Sequence, residues 1–148
     1  MVVGCWRSAD AVFDQLEGAW SLARSIENTA TMTGIATFTR LGVDALAYRE
    51  DGTAELASGQ SLKAYRTFRF ERAPEGFIVL FDETPPRLFH RIELTRQGDE
   101  LVAATSHICA PDSYESRYRF LRGGSFVIRH DMRGPRKDYV SVTTFTRL

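Results

Sequence analysis

The period of the hydrophobic pattern changes once along this chain. From Ser8 to Leu16 the apolar residues Ala9, Val12, Phe13 and Leu16 recur at helical spacing, and the Ser8 hydroxyl is suited to cap the backbone, so a short helix is predicted over about 8–16. After Gly18 the pattern alternates with period two in segments rich in Thr, Phe, Tyr, Val and Ile. Ten such runs are read as strands: Trp20 to Ile26, Gly34 to Thr39, Ala45 to Glu50, Leu62 to Glu71, Phe77 to Phe81, Leu88 to Leu94, Glu100 to Cys109, Tyr114 to Leu121, Ser125 to Asp131 and Lys137 to Thr146. Asp51-Gly52, Pro74-Glu75-Gly76, Gln97-Gly98-Asp99 and Gly123-Gly124 fall between runs, where hairpin loops belong. Short connections with no linker and no repeat predict one domain over 1–148, its β part starting at about 18. The expected architecture is all-β: a closed antiparallel up-and-down barrel of 8–10 strands behind a short N-terminal α-helix, since closure removes exposed sheet edges. A two-sheet sandwich would need crossovers longer than any loop here.

Composition narrows the class. The chain has 148 residues, 43% of them hydrophobic and 26% charged, enough for a core without help from disulfides or metals. Lys and Arg number 19 and so do Asp and Glu, leaving no general electrostatic pull toward nucleic acid or an anionic membrane surface. The longest apolar runs, Phe77 to Phe81 and Leu101 to Ala104, fall far short of the ~20 residues of a membrane span. The N-terminus has neither a basic start nor a long apolar stretch, so no signal peptide is read and a cytoplasmic location is expected. Cys5 and Cys109, the two cysteines, are then expected as free thiols.

Two sets of residues carry a resemblance. Gly18-Ala19-Trp20 opens the first strand directly after the helix, and Arg147 ends the last. This resembles the calycin arrangement of lipocalins and fatty-acid-binding proteins, where Gly-x-Trp packs beneath an Arg of the final strand in a cation–π contact of roughly 0.5–2 kcal/mol. Further, His107-Ile-Cys109-Ala-Pro-Asp112-Ser-Tyr114, Tyr118-Arg-Phe120 and Gly134-Pro-Arg-Lys-Asp-Tyr139, with Tyr48-Arg-Glu50 and Tyr65-Arg66 upstream, are similar to a family of uncharacterised, mostly bacterial proteins, a domain of unknown function with a lipocalin-like barrel. The resemblance implies the fold and no particular activity.

Alternation along a strand sorts side chains into two faces, and polar residues caught in the apolar phase are the informative ones. His90 falls in the phase Leu88, Ile92, Leu94; His130 in Phe126, Ile128, Met132; Arg66 in Leu62, Ala64, Phe68, Phe70; Tyr114 and Tyr118 share a phase with Phe120. His107 and Cys109 share a phase with Leu101 and Ala103, although the opposite phase is as apolar. Buried polar groups need partners, which are each other, water or a ligand. One reading is an internally satisfied network that fixes the barrel. The other is a site for a small anionic or aromatic, amphipathic molecule: Arg66 with the tyrosines for a carboxylate, and Phe68, Phe70, Phe81, Phe120 and Phe126 for its body. Arg136 and Lys137, with Arg133, crowd the last loop, where they would attract an anion if they are not simply solvated turn charges.

Other chemistries are less supported. His107-x-Cys109 supplies two ligands where zinc needs three or four, so no metal site is assigned. Haem held by one histidine is conceivable in an open barrel, but no residue is assigned to it. An enzyme using His, Tyr and Cys in the cavity is the alternative to simple binding, although His107 and Cys109 on one strand face are roughly 6.5–7 Å apart at Cα. A third reading is a homodimeric interaction module, because both faces of Phe77 to Phe81 are apolar and one would be free to bury against a second copy.

Overall fold

A computed structural model describes residues 5–109, 112–135 and 138–148, apart from the side chains of 107–109. Eleven strands form one antiparallel sheet: β1 (Gly18–Ile26), β2 (Ala30–Gly42), β3 (Ala45–Leu56), β4 (Ser61–Ala73), β5 (Gly76–Phe81), β6 (Arg87–Glu93), β7 (Thr95–Gln97), β8 (Glu100–Cys109), β9 (Asp112–Phe120), β10 (Phe126–Arg133) and β11 (Tyr139–Arg147). Chain neighbours are sheet neighbours from β1 to β6 and from β7 to β11, and β1 also pairs with β11, so the first and last strands meet. The two sheet edges are β6 and β7, successive pieces of one segment broken at Leu94. β6 pairs with β5 and β7 with β8, and the barrel is closed except where β6 runs beside β8 without a ladder. The up-and-down barrel is thus the observed fold.

Within the described residues each of the ten expected runs falls on a strand to within one residue at its ends, and the eleventh strand is the three-residue β7. Asp51-Gly52 is not a turn. β3 continues through it, and Gly52 pairs with Gly34 in mid-sheet, where a Cβ on Gly34 would sit 2.1 Å from the Asp51 carbonyl oxygen. Glycine here allows close backbone approach. The helix α1 (Val12–Leu16) is shorter than expected: the Ser8 hydroxyl and carbonyl do accept the Ala11 N–H, but only as a turn leading into it.

α1 seals one end of the barrel. Its buried Val12, Phe13 and Leu16 join Trp6, Trp20, Phe120, Phe126 and Phe145 in the core, with Trp6 stacked on Trp20 at 5.8 Å and Phe126 on Phe145 at 4.3 Å. Trp20 Nε1 donates to the Leu16 carbonyl at 2.9 Å. The Arg147 guanidinium lies 4.0 Å from the Trp20 ring centroid and donates to the carbonyls of Gln15 and Glu17. Arg72 and Arg40 clamp the helix from outside, and their hydrogen bonds and charges, Arg72 foremost, hold the Asp14 carboxyl down to about 2.

Gly18 has φ +125°, a region that costs residues with a Cβ, and a Cβ there would lie 2.9 Å from Arg147 Nη1. Gly18→Ala is therefore expected to destabilise the protein by about 1–3 kcal/mol, and Arg147→Met by a similar amount. Urea denaturation checks both; wild-type midpoints would show that this end is not held as described.

Candidate functional site

The inward faces of the strands enclose a cavity of about 370 Å³. Strand direction grades its lining. Leu16, Phe38, Phe70, Phe77, Phe120, Phe126 and Phe145 form the end nearest α1, whereas Arg66, Arg87, Tyr114, His130, Met132, Tyr139 and Ser141 lie toward the opposite mouth. Phe68, Phe81 and Phe89 form an aromatic wall, with Phe68 stacked on Phe89 at 5.9 Å.

Glu50 is the charged centre. It is 1% exposed, in the inward phase of β3 with Leu46 and Tyr48. Arg24, in the inward phase of β1 with Trp20 and Leu22, grips it bidentately at 2.7 and 3.0 Å and donates Nε to Thr143 Oγ1 at 2.7 Å. Tyr48 donates its hydroxyl to Glu50 Oε2. Arg66, the cross-strand neighbour of Glu50, places Nε 2.8 Å from Oε1. Burial alone would raise the Glu50 carboxyl, but the Arg24 hydrogen bonds and the charges of Arg66 and Arg24 outweigh it and hold it below the usual range. Burial, and then the Glu50 charge, push the Tyr48 hydroxyl well up, so it remains a donor. Arg66 differs from Arg24: its side chain is 45% exposed, and besides the ion pair with Glu50 its guanidinium lies 5.3 Å from the Phe68 ring centroid.

Across the barrel the histidines are held separately. His130 Nδ1 is 2.7 Å from Ser116 Oγ, and His90 Nε2 is 2.6 Å from Tyr118 OH, whose pKa burial drives up so that the phenol stays protonated. Burial, followed by the charges of Arg66 and Arg24, lowers His130 to about 4, leaving a neutral imidazole at pH 7.

Of the residues expected inside, Arg66, Tyr114, Tyr118 and His130 line the cavity together with the five phenylalanines. His90 is buried but sits behind the lining, fixing Tyr118. The expected phase around it fails at one point: a bulge opposite Val79 and Leu80 turns Leu88 out to solvent and brings Phe89 into the cavity. The His107 and Cys109 side chains, and Arg136 and Lys137, lie outside the described residues. Arg24 and Glu50 were missed, although the same alternation read along β1 and β3 marks both. Among the described residues no cluster of three metal-ligating side chains forms, and no helix is long and apolar enough to cross a membrane.

A model of a family of unknown function matches residues 16–147. The chain belongs to that family, DUF6314. No curated protein matches it. Among solved structures, this DUF6314 member is similar to the S-type phycobiliprotein lyase CPES from Guillardia theta, with TM-score 0.59 and 14% identity over 95% of this chain and 93% of that one. It is also similar to EF1p2_mFAP2b bound to DFHBI, with TM-score 0.50 and 10% identity over 95% and 99% of the two chains. At such identities the likeness is one of fold.

His130 generates a pH prediction. Its folded pKa of about 4 lies below the ordinary 6.5, so between these values the unfolded chain binds a proton that the folded one does not. Stability is then lost as pH falls from 6.5 toward 4, by up to about 3 kcal/mol from this group, and is independent of this group above that window. His130→Gln should flatten the slope; urea midpoints at pH 7, 5.5 and 4.5 in both proteins measure it, and an unchanged slope would place the histidine in contact with bulk water.

Proposed function

We propose that this DUF6314 barrel binds one small amphipathic molecule in its cavity. The observation that carries the reading is the space itself. About 370 Å³ stays open between an aromatic lining and a polar mouth, within the roughly 300–1,000 Å³ typical of small-molecule sites. A barrel that used its interior only for stability would fill it, since an empty apolar cavity of this size destabilises. Glu50 is satisfied by Arg24 and Tyr48, while Arg66, half-exposed at the mouth, has among the described residues only its 2.8 Å ion pair to that already satisfied carboxylate. That the EF1p2_mFAP2b barrel is bound to DFHBI supports the reading by example of what such a fold accommodates.

Binding by the inner surface predicts competition with an added side chain. Ile128 lines the cavity on β10, and Ile128→Trp should fill it. Titration with the environment-sensitive dye 8-anilinonaphthalene-1-sulfonate is expected to give saturable one-to-one binding to the wild type and at least ~10-fold weaker binding to the variant, with circular dichroism confirming that both are folded. Equal binding to the two would move the dye to the outside and remove the proposal. Native mass spectrometry of the purified protein adds a readout without a chosen probe: a co-purifying organic molecule supports the reading, and a bare homodimer favours the interaction module.

A further inference from the structure

We infer that the ligand of this cavity carries a single planar acid group, a carboxylate, and that it binds with that group at the mouth against Arg66 and its apolar body toward the aromatic end. This rests on the binding reading above and names the chemistry of the ligand.

The charges around the cavity do not balance. Three arginines line the cavity. Arg87 is matched by Glu83 at 3.0 Å, and Arg24 is matched by Glu50 through two hydrogen bonds. Arg66 faces the same Glu50, whose oxygens already accept three hydrogen bonds from Arg24 and Tyr48. Every acidic side chain of the sequence is among the described residues, and no acidic side chain lines the cavity. Asp112, the other buried carboxylate, packs against Gly134 outside the lining. The lining and its counter-ions are therefore one negative charge short of neutrality, and the shortfall sits at Arg66. A guanidinium presents paired N–H donors in one plane, which is the geometry that takes a carboxylate through two parallel hydrogen bonds.

Orientation follows from where that charge lies. Arg66 is at the open end, with 45% of its side chain exposed, while the end nearest α1 presents phenylalanines and Leu16. An acid driven to that end would lose its water with no cation to replace it, whereas an aromatic or alkyl body gains by burial there. The body passes between the Phe68, Phe81 and Phe89 rings, and the acid stays at the rim. His130 senses the same surplus. The charged groups that act on it are Arg66 from β4, Arg24 from β1, Glu50 from β3 and Asp131 of its own strand, with the His90 ring 6.3 Å away and Ser116 on its Nδ1. A bound carboxylate offsets Arg66 and raises the His130 midpoint.

A matched pair of probes tests this. Isothermal titration compares 2-naphthylacetate with 2-naphthylacetamide, which has the same body and no charge, on the wild type, Arg66→Gln and, as a control for net charge, Arg119→Gln, which removes an outward arginine paired with Glu100. The acid is expected to bind the wild type and Arg119→Gln at least ~10-fold more tightly than the amide; in Arg66→Gln this preference disappears while amide binding is retained. In the same samples, NMR should show the His130 titration moving to higher pH when the acid, but not the amide, is bound. Acid and amide binding equally to the wild type, or an acid preference that survives Arg66→Gln, overturns the inference and leaves the binding reading standing. Binding of neither probe to the wild type overturns both.

Discussion

A carboxylate inside an all-β barrel is the constraint around which this interior is arranged. Moving Glu50 out of water carries a desolvation cost of several kcal/mol, which only close, well-oriented partners offset. Arg24 supplies the bidentate grip and Tyr48 a further donor, and Thr143 completes the Arg24 fork. These residues come from β1, β3 and β11, so the cluster also ties strands that are far apart in sequence. The attraction is strong enough to hold the Glu50 carboxyl below its usual range against its burial, and the two arginines gathered around it, after burial, keep His130 neutral, an effect that the Glu50 charge partly offsets.

The two ends of the barrel are built from opposite chemistry. At one end α1, Trp20 and Arg147 form a seal in which the carbonyls of Gln15, Leu16 and Glu17 accept side-chain donors, and the rings of Trp6, Trp20, Phe126 and Phe145 stack in the core. At the other end the lining turns polar, and side chains such as Arg66 remain half in solvent. Such a gradient positions an amphipathic molecule by itself, because apolar burial draws one part inward and charge holds the other at the rim. The seal that holds the fold and the proposed binding site are thus located in different layers of the same interior.

Where the sheet is least regular, it serves the cavity. The break at Leu94 hands pairing from β5 to β8 within one segment, and the bulge at Phe89 lets two consecutive aromatic side chains, Phe89 and His90, both face inward. In an unbroken strand one of them would point to water. The stacked Phe68, Phe89 and His90 rings depend on this irregularity.

Local alternation in the sequence was sufficient for the barrel, for the helix before Gly-x-Trp, and for the inward placement of Arg66, Tyr114, Tyr118 and His130, because a side chain's face is decided by its parity and its immediate neighbours. The same parity marks Arg24 and Glu50 once it is read along every strand. The bulge at Phe89 and the mid-strand position of Asp51-Gly52 were not legible, since one extra residue flips the phase without changing composition, and a turn dipeptide becomes strand when Gly34 lies opposite it. Only the tertiary structure decided which charges meet: Arg24 reaches Glu50 from 26 residues away while Arg66 is left in surplus, an outcome set by strand pairing across the barrel that no local pattern encodes.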